Sequence, residues 1–530
     1  MPTLVCVPLM VSDISLAAAD AGRAKEAGAD CVEFRIDPIA EAHPATVAES
    51  VASLVQQSPL PCIITCRIEA EGGVYTGTDV ERAAIFRAVL RRCTPSYVDI
   101  EAKSLAGSVD LAGVAVSAGG DAPPRIVLSS HDFSGRPADL ARRMIAVQDP
   151  RGTIAKLVYR ARSLRDSLEI LDLPAQTDRP TVALGMGEFG LMTRVLAPKF
   201  GGFLTFASLN SGSATAPGQP TIDELLSLYR FRAIDADTKV YGVIGWPVTQ
   251  SRSPATHNAW FAAARHNGVY LPLPIAPGDD PETTYASLKA TLLELIHHPR
   301  LKFSGASVTI PFKEHLVRLA REQGWTLTPP VLIAGAANTI VVVGDSVTLL
   351  NTDWDGVLVP LRAKVGDLKG KGVLVLGAGG AARAAAAALS YDGARVTVSN
   401  RDSARAARLV ADLTPAQPME SFGSLEVVPW ELRAEAEAEV VLHCTPMGSA
   451  TGPAPTESPL DAAYLRARGP LVFDMVYTPP QTPLLMAATA AGCRTISGMA
   501  MFEAQASAQF EAWVGRPPPA QGPDLHARGG

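Results

Sequence analysis

A lysine lies in the middle of an apolar run in the first third of the chain. Lys156 belongs to "GTIAKLVYR", whose apolar residues otherwise predict a buried strand. Burying a lysine is costly unless its charge is paired or lost, and desolvation favours the neutral amine. A neutral amine can form a Schiff base with a ketone. Lys156 is therefore a candidate nucleophile, and we expect Ile154 and Val158, on its side of the strand, to desolvate it.

The same half of the chain carries polar side chains near the ends of other apolar runs. Glu33 and Arg35 alternate in "VEFRID", so they share one face of that strand. Arg67 closes "IITCR", His131 follows "LSS", and Arg194 follows "GMGEFGLMT". Taken singly, an arginine at a strand end more often forms a surface ion pair than binds a substrate. A lone histidine is more often a hydrogen-bonded polar group than a catalytic base. They gain chemical meaning only if the fold gathers them around the lysine.

A second kind of chemistry begins at "VLVLGAGGAAR". Gly377, Gly379 and Ala382 have a G-x-G-x-x-A spacing between a predicted strand and a predicted helix. Glycines at these places permit a tight turn and the close approach of a pyrophosphate, whose charge the helix N-terminus stabilises. The pattern predicts a dinucleotide site with a loop formed by Gly377, Ala378, Gly379, Gly380 and Ala381.

The end of the next strand, in "VTVSNRDSAR", indicates which dinucleotide binds. An NAD site normally ends this strand with an acid for the ribose diol. Here Asn400 and Arg401 take that place, and Arg405 follows one helical turn later. Two guanidinium groups favour the additional phosphate of NADP(H), although Asp402 is a nearby acid.

These residues must be positioned by two different α/β arrangements. Eight β-rich runs, alternating with helical stretches, precede Pro220. Eight β/α units in about 230 residues predict a TIM (β/α)8 barrel, whose active site lies at the carboxyl ends of its strands. A new strand, "KVYGVIG", then opens a second part. We expect a barrel at 1–235, an α/β substrate domain at 236–362 and 498–515, a Rossmann domain at 363–497, and a disordered tail at 516–530.

Bulk composition excludes several function classes. In 530 residues, 47% are hydrophobic and 19% charged, which suits several globular domains. A net charge of −6 without basic blocks argues against nucleic acid, and no apolar run is long enough for a membrane span. The start lacks a signal pattern, and seven scattered cysteines suit reduced thiols, so we expect a cytoplasmic location. Cys62 and Cys66 are interpreted as buried hydrophobes, and no metal is expected. The oligomeric state stays open.

Six motifs in residues 1–233 resemble, in order and spacing, those of type I 3-dehydroquinate dehydratase. They are "EFRID", "TCRIEAEGG", "SSHDF", "IAKLV", "GMGEFGLMTR" and "TAPGQPT". The resemblance implies that Lys156 forms a covalent Schiff base with 3-dehydroquinate, and that His131, oriented by Glu71, acts as general base and acid. It implies that Arg194 binds the substrate carboxylate. The other implied substrate contacts are Glu33, Arg35 and Arg67 on ring hydroxyls, and Gln219 in a lid with Thr215, which replaces the family's usual serine.

Residues from about Lys239 to Gly515 resemble shikimate dehydrogenase. The motifs are "QSRSP", "SVTIPFKEH", "AANT", "NTDWDG", "DMVYTPPQTPLL" and "GMAMFEAQAS". The resemblance implies reversible hydride transfer between NADP(H) and 3-dehydroshikimate, with Lys313 and Asp353 handling the proton. The implied substrate contacts are Ser251, Ser253 and Tyr477 for the carboxylate, and Asn338 and Gln505 for ring hydroxyls. The chain departs from the common pattern at Ser307, where asparagine is frequent, and has "HCTPMGS" at His443–Ser449.

The product implied for the first part is the substrate implied for the second. The chain therefore resembles a bifunctional dehydratase and dehydrogenase with the domain order of the plant enzymes, and its expected partners are the small molecules of that pathway. Three alternatives stay open. The chain could be a non-catalytic metabolite sensor, its barrel could be a class I aldolase, or its second part could prefer quinate, which the two serines of "SRSP" disfavour.

Overall fold

The structure is a computed structural model that describes residues 2–107, 109–120, 123–414, 422–450 and 452–520. Its first sheet has eight strands: β1 (Leu4–Met10), β2 (Cys31–Arg35), β3 (Cys62–Thr65), β4 (Tyr97–Glu101), β5 (Arg125–Asp132), β6 (Ile154–Arg160), β7 (Thr181–Met186) and β8 (Leu204–Phe206). Each strand from β2 to β7 pairs in parallel with its predecessor, and β1 pairs in parallel with β8. Phe203 N donates to Thr181 O at 2.8 Å, which brings β8 against β7. The predicted TIM barrel is confirmed.

Helices lie between these strands and cover the outside of the barrel. They are α1 (Ile14–Glu26), α2 (Pro44–Gln57), α3 (Asp79–Leu90), α4 (Leu111–Ala118), α5 (Leu140–Ala146), α6 (Leu164–Asp172), α7 (Leu191–Val195) and α8 (Ala197–Phe200). The side chains of Asp13, Thr78 and Ser163 accept hydrogen bonds from first-turn N–H groups of α1, α3 and α6. These caps satisfy donors that a helix start otherwise leaves unpaired.

The barrel interior is apolar around the strand that carries Lys156. Ile154 and Val158 are buried in a cluster that also contains Leu184, Met186 and Phe206. Alternation along β6 therefore places the lysine between two buried apolar side chains, on the inward face. Cys62 and Cys66, by contrast, are free thiols buried in the main core.

A second, mixed sheet follows the barrel. Its strands are β9 (Lys239–Gly245), β10 (Gly268–Pro274), β11 (Phe303–Val308), β12 (Thr326–Leu327), β13 (Thr339–Val343) and β14 (Ser346–Leu350), and its helices are α9 (Ser253–Ala263), α10 (Pro281–His297), α11 (Lys313–Gln323), α12 (Pro329–Ala334) and α13 (Asp353–Val365). The strand order is β10-β9-β11-β13-β14-β12. Because β13 runs antiparallel to both β11 and β14, the start of β13 lies beside the end of β11. Helices α11 and α13 begin near that edge.

The third sheet is fully parallel. It contains β15 (Gly372–Leu376), β16 (Arg395–Ser399), β17 (Leu425–Val427), β18 (Val440–His443), β19 (Leu471–Asp474) and β20 (Thr495–Ile496), with α14 (Gly380–Tyr391), α15 (Ser403–Leu413), α16 (Ala462–Arg468) and α17 (Pro483–Ala490). The order β17-β16-β15-β18-β19-β20 reverses direction between β15 and β18. In such Rossmann sheets the ligand binds outside the strand ends at this switch point.

The last helix, α18 (Gly498–Val514), returns to the second sheet. Met501 of α18 packs against Gly356 of α13, and Trp513 Nε1 donates to Ile340 O of β13 at 2.9 Å. The substrate part is therefore built from two separated stretches of chain. Residues 521–530 of the predicted tail lie outside the described residues.

The barrel touches the second sheet's helices and loops directly. Phe189, just after β7, stacks on Trp246, just after β9, with ring centroids 5.8 Å apart. Asp172 Oδ2 lies 3.1 Å from His298 Nε2, and Lys199 Nζ donates to the carbonyl of Ala236 at 2.9 Å. Within the described ranges, no helix combines the length and apolar character that crossing a membrane requires.

Candidate active sites

The side chain of Lys156 points into the barrel and lies against two carboxylates. Its Nζ is 2.8 Å from Asp99 Oδ2, 3.4 Å from Glu33 Oε1, and 4.6 Å from the centre of the Phe206 ring. The structure therefore pairs the buried charge as well as desolvating it through Ile154 and Val158. Asp99 was not predicted from the sequence. The signal that could have identified it is a charged residue inside the apolar strand "YVDIEA".

Arg67 shares the same carboxylate. Its Nη2 lies 2.7 Å from Asp99 Oδ1, and its Nη1 lies 3.0 Å from Glu101 Oε1 and donates to Ser129 Oγ at 2.8 Å. Burial alone would raise the pKa of Asp99, but Arg67 and Lys156 outweigh it and hold that pKa well below its ordinary value. Arg67 lines the pocket, yet both its terminal nitrogens already have protein partners.

His131 is held by Glu71 through two contacts on one oxygen. His131 Nδ1 lies 3.1 Å from Glu71 Oε2, and the backbone N–H of His131 donates to the same atom at 3.0 Å. Burial lowers the pKa of His131 well below its ordinary value, and the nearby cations of Arg67 and Lys156 lower it further. Burial raises the pKa of Glu71 to about 7. The imidazole is therefore neutral near pH 7, with Nε2 available as a base.

Arg194 is a buried cation without a carboxylate among the described residues. It is 2% exposed, its Nη1 donates weakly to Phe206 O at 3.4 Å, and its Nε has no hydrogen-bond partner there. Burial lowers its pKa to about 10. A desolvated guanidinium that faces a pocket without a counter-ion is a receptor for an anion, and its planar fork fits a carboxylate.

The segment after β8 closes over this pocket. Gln219 Oε1 accepts from Thr215 N at 3.0 Å and from Thr215 Oγ1 at 3.3 Å, whereas Gln219 Nε2 is buried without a partner in the described chain. Gly218 has φ +72°, and a Cβ placed on it would lie 2.3 Å from Gly187 O. A glycine is therefore required where this segment meets the loop after β7.

The structure brings all nine predicted barrel residues to one pocket of about 520 Å³, open space at its mouth included. Arg35 is fixed there by a bidentate contact with Asp37, at 2.8 and 2.9 Å, a partner that was missed. Phe133 and Met186, also missed, contribute apolar wall. The nine are Glu33, Arg35, Arg67, Glu71, His131, Lys156, Arg194, Thr215 and Gln219.

A second cleft lies between the second and third sheets. Lys313, the first residue of α11, and Asp353, the first residue of α13, form an ion pair with 2.5 Å between Nζ and Oδ2. Asn338 Nδ2 donates to Asp353 Oδ1 at 2.9 Å and lies 3.4 Å from Gln505 Oε1. The cleft has a volume of about 1620 Å³, open space at its mouth included, and all seven predicted residues line it: Ser251, Ser253, Lys313, Asn338, Asp353, Tyr477 and Gln505.

A buried hydrogen-bonded chain supports this cleft and was missed in part. Tyr270 OH donates to Ser307 Oγ at 2.7 Å, Ser307 Oγ donates to Gln509 Oε1 at 2.8 Å, and Gln509 Nε2 donates to Thr339 Oγ1 at 3.1 Å. Ser307 was noted as a departure, but no pattern linked it to Tyr270 or Gln509. Residues on four elements, β10, β11, β13 and α18, meet there, and their separation in sequence hides the contact.

The glycine loop lies beside the lysine of the second cleft. Gly377 directly follows β15 and has φ +124°, and α14 begins at Gly380, where an added Cβ would lie 3.9 Å from Lys313 Cδ. A Cβ on Gly379 would meet nothing within 4 Å. The loop leaves room for a pyrophosphate against the helix start, so the residues present fit a dinucleotide.

The residues after β16 give that dinucleotide site a positive end. Asp402 Oδ1 accepts from Arg405 N at 3.2 Å and so caps α15, and Asn400 Nδ2 donates to Asp402 O at 2.9 Å. Arg401 and Arg405 are exposed and make no ion pair within the described part of the chain. The nearby acid is therefore engaged by the helix, while the two cations face outward. No group of His, Cys, Asp and Glu among the described residues is arranged to hold a metal ion.

Known families match each of the two parts of the chain. The family model described as type I 3-dehydroquinase matches residues 5–236, that of the shikimate dehydrogenase substrate binding domain matches residues 243–340, and that of shikimate / quinate 5-dehydrogenase matches residues 361–447. A shikimate dehydrogenase (NADP(+)) of Acidiphilium cryptum is 39% identical over 54% of this chain and 94% of its own length. A crystal structure of a shikimate dehydrogenase in complex with NADP+ has a TM-score of 0.48 and 29% identity, covering 54% of this chain and 93% of that one.

One relative spans both parts of the chain. It is the chloroplastic bifunctional 3-dehydroquinate dehydratase/shikimate dehydrogenase of Arabidopsis thaliana, which is 34% identical over 98% of this chain and 83% of its own length. The chain therefore belongs to the family of bifunctional 3-dehydroquinate dehydratase/shikimate dehydrogenases.

Proposed function

We propose that the chain makes shikimate from 3-dehydroquinate in two steps: dehydration in the barrel pocket and NADPH-dependent reduction in the second cleft. The observation that carries the first step is the meeting of Lys156, His131 and the unpartnered Arg194 in one pocket. A substrate with both a ketone and a carboxylate matches a nucleophile, a base and an anion receptor. The second step is supported by the Lys313 and Asp353 pair beside the glycine loop.

Each of the three sheets corresponds to one functional domain in this proposal. We assign 1–235 to the dehydratase, 236–362 with 498–515 to substrate binding by the dehydrogenase, and 363–497 to NADP(H). The separate sheets and the return of α18 to α13 support these bounds. Seven free cysteines, four of them buried, support a reducing compartment such as the cytoplasm.

The dehydration needs one amine and one proton carrier. The ammonium of Lys156, paired with Asp99 and Glu33 at rest, first loses a proton to solvent, and the amine then attacks the ketone carbon of 3-dehydroquinate; loss of water from the adduct gives an iminium. His131 takes a proton from the neighbouring carbon, and the electron pair moves toward the iminium nitrogen. The pair then returns and expels the hydroxyl of the next carbon, which leaves as water with the proton from His131. Hydrolysis restores Lys156 and releases 3-dehydroshikimate.

The other pocket residues hold the substrate and the catalytic groups in place. Arg194 pairs with the substrate carboxylate and in doing so gains the counter-ion that none of the described residues supplies. Glu71 fixes the hydrogen of the imidazole on Nδ1, so Nε2 faces the reacting carbon. Gln219, with an unpartnered Nε2 in the segment after β8, closes over the ring hydroxyls.

In the reduction, residues of this chain handle the proton and the cofactor supplies the hydride. NADPH, when bound, supplies the hydride to the ring carbonyl carbon. Lys313 and Asp353 hold the proton that the carbonyl oxygen receives, with Asn338 fixing Asp353 at 2.9 Å. Ser251 and Ser253 line the end of the cleft nearest α9 and bind the substrate carboxylate, and Tyr477 completes that contact. Gln505 binds a ring hydroxyl.

Two preferences complete the proposal. Arg401 and Arg405 bind the additional phosphate of NADP(H), since both are exposed beside the end of β16. Shikimate is preferred over quinate because both serine hydroxyls are available to the carboxylate. Turnover of shikimate and quinate with NADP+ tests the second preference, and a higher kcat/KM for quinate would contradict it.

Paired variants of the full chain test the two-step function. In Lys156→Ala, formation of the conjugated enone from 3-dehydroquinate should fall by at least about a thousandfold, while reduction of added 3-dehydroshikimate persists. In Lys313→Ala the pattern should reverse. A wild-type chain that binds 3-dehydroquinate without an absorbance rise would be a sensor rather than an enzyme. Cleavage of a carbon–carbon bond would instead identify an aldolase.

A further inference from the structure

Three buried side chains that neither proposed step uses form a relay at the edge of the third sheet. His443 Nδ1 lies 3.0 Å from Asp474 Oδ1, and His443 Nε2 lies 2.6 Å from Thr445 Oγ1. His443 and Asp474 are both 0% exposed, and Thr445 is half-buried. The arrangement links the ends of the neighbouring strands β18 and β19 to the turn that follows β18.

The hydrogen-bonding capacity of each group fixes where the hydrogens lie. An ionised carboxylate can only accept, so Nδ1 of the imidazole carries the hydrogen toward Asp474. On the other side of the ring, Nε2 is hydrogen-bonded to the Thr445 hydroxyl at 2.6 Å, and the oxygen of that hydroxyl also accepts from Met447 N at 3.3 Å. Asp474 is held in turn, because its Oδ2 accepts from Thr482 Oγ1 at 2.5 Å. The hydroxyl oxygen of Thr445 is therefore held in place by two contacts, one to His443 and one to Met447 N.

Thr445 lies where the second half of a dinucleotide must pass. The pyrophosphate loop follows β15, and the phosphate-reading arginines follow β16 on one side of it. The adenosine half therefore extends toward β16, and the nicotinamide half extends the other way, over the end of β18. A Cβ placed on Gly377 would lie 3.2 Å from Thr445 Cγ2, so the threonine packs directly on the loop.

The same relay reaches the substrate side of the cleft. His443 O accepts from Met475 N at 3.0 Å, and Asp474 Oδ1 accepts from Val476 N at 3.0 Å. These bonds hold the start of the segment that carries Tyr477, and both Met475 and Tyr477 line the cleft. One buried imidazole therefore ties the turn beside the cofactor loop to the segment beside the substrate.

We propose that Asp474, His443 and Thr445 position the nicotinamide end of NADP(H) against the substrate ring. The inference rests on the proposed dehydrogenase function and adds a positioning role to it. His443 acts through Thr445: the imidazole holds the Thr445 hydroxyl, which would contact the nicotinamide half of NADP(H) when the cofactor is bound. The distance and angle of hydride transfer then depend on the relay, whereas pyrophosphate binding depends on the glycine loop.

The test compares two substitutions of Thr445 in the full chain. Thr445→Val keeps the shape and removes the hydroxyl, whereas Thr445→Ser keeps the hydroxyl and removes the methyl. With 3-dehydroshikimate as substrate, we expect Thr445→Val to raise the KM for NADPH and to lower kcat, each by about fivefold or more. Thr445→Ser should stay within about twofold of wild type in kcat, because its hydroxyl still bonds His443.

Binding of NADPH without substrate, followed by the fluorescence of the cofactor, is a readout independent of turnover: the Kd should increase by about fivefold in Thr445→Val and stay within about twofold of wild type in Thr445→Ser. An isotope effect then separates positioning from packing. With NADPH deuterated at the transferred position, the isotope effect on kcat should increase in Thr445→Val, because hydride transfer becomes slower relative to product release. His443→Gln, which keeps a donor and an acceptor, should recover more kcat than His443→Ala. Dehydratase turnover of each preparation verifies that the chain is folded.

The outcomes distinguish this proposal from the proposed function. A Thr445→Val chain with wild-type KM, kcat and isotope effect would overturn the positioning role while leaving the dehydrogenase intact. A wild-type chain that never oxidises NADPH with 3-dehydroshikimate would overturn the dehydrogenase function itself.

Discussion

Lys156 and Asp99 form a buried ion pair across the barrel interior, with 2.8 Å between Nζ and Oδ2. Asp99 also binds Arg67 at 2.7 Å, so a single carboxylate positions the nucleophile and neutralises a second cation. The amine is thus held at a fixed place in a pocket that otherwise disfavours its charge. Loss of this carboxylate should affect the barrel reaction more than any other change outside the reacting groups.

Asp99→Asn should slow dehydration of 3-dehydroquinate roughly 100-fold, because a displaced nucleophile no longer meets the ketone in the reactive geometry. It should also lower the free energy of unfolding by about 3 kcal/mol, since two buried cations lose a partner. Enone absorbance and urea unfolding measure the two effects. Reduction of 3-dehydroshikimate by the same preparation is the control, and a dehydratase rate within twofold of wild type would contradict the role of Asp99.

On the acid side of the dehydratase pH profile, the increase in kcat/KM with pH (the acid limb) should reflect the ionisation of Glu71. Burial raises its pKa to about 7, whereas the pKa of His131 lies well below its ordinary value. His131 therefore remains neutral over the working range, and the titrating group is the carboxyl. As pH rises through about 7, Glu71 ionises, accepts the Nδ1 hydrogen and leaves Nε2 as the base, so kcat/KM should increase.

Measuring kcat/KM from pH 5 to 9 in wild type and Glu71→Gln checks this assignment. The amide cannot titrate, so the limb near pH 7 should disappear in the variant, and the remaining rate should be lower at all pH values. An unchanged limb in Glu71→Gln would assign it to another group.

Arg194 should show opposite effects on stability and activity. Its guanidinium is 2% exposed and has no carboxylate partner among the described residues, so the folded protein bears an uncompensated desolvation cost. Arg194→Met should raise the free energy of unfolding by on the order of 1–2 kcal/mol and lower dehydratase kcat/KM by about 100-fold or more.

Arg194→Lys is the matched comparison for the substrate contact. It keeps the charge but loses the fork that binds both carboxylate oxygens, so its kcat/KM should lie between those of wild type and Arg194→Met. Chemical unfolding and steady-state kinetics are the measurements. A methionine variant that is less stable than wild type would show that the cation is satisfied by the protein alone.

The cofactor preference should depend on Arg401. Arg401→Ala should raise the KM for NADPH by about 10- to 100-fold and leave the KM for NADH nearly unchanged. Only NADPH carries the phosphate that the guanidinium would bind. Arg408→Ala, an equally exposed arginine further along α15, is the control. Equal losses for the two cofactors in Arg401→Ala would place the phosphate elsewhere.

Alternation and spacing in the sequence were sufficient to predict the barrel and the gathering of its polar residues. Once eight β/α units close, residues at the carboxyl ends of strands must face one mouth, which is why Lys156, His131 and Arg194 meet. The substrate site of the second part was predicted by the resemblance to shikimate dehydrogenase rather than by spacing, and Lys313 and Asp353 meet because each begins a helix at the same edge of a sheet.

The partners of those residues were harder to predict. Asp99 contacts a lysine 57 positions away, and the same periodicity would suit an acid with any other cation in the barrel. The pairing of Arg35 with Asp37 depends on rotamers, and the link between Tyr270, Ser307 and Gln509 depends on how α18 returns to the second sheet. Tertiary packing determines these contacts, and no local pattern encodes them.

Borohydride reduction of the full chain in the presence of 3-dehydroquinate, followed by peptide mass mapping, tests the central claim most directly. Reduction fixes an iminium as a stable secondary amine, so the position of the added mass identifies the nucleophile. The account predicts a single modified peptide that contains Lys156, and no modification without substrate or in Lys156→Ala. An adduct on another lysine, or no adduct while the enone still forms, would contradict the Schiff-base mechanism at Lys156.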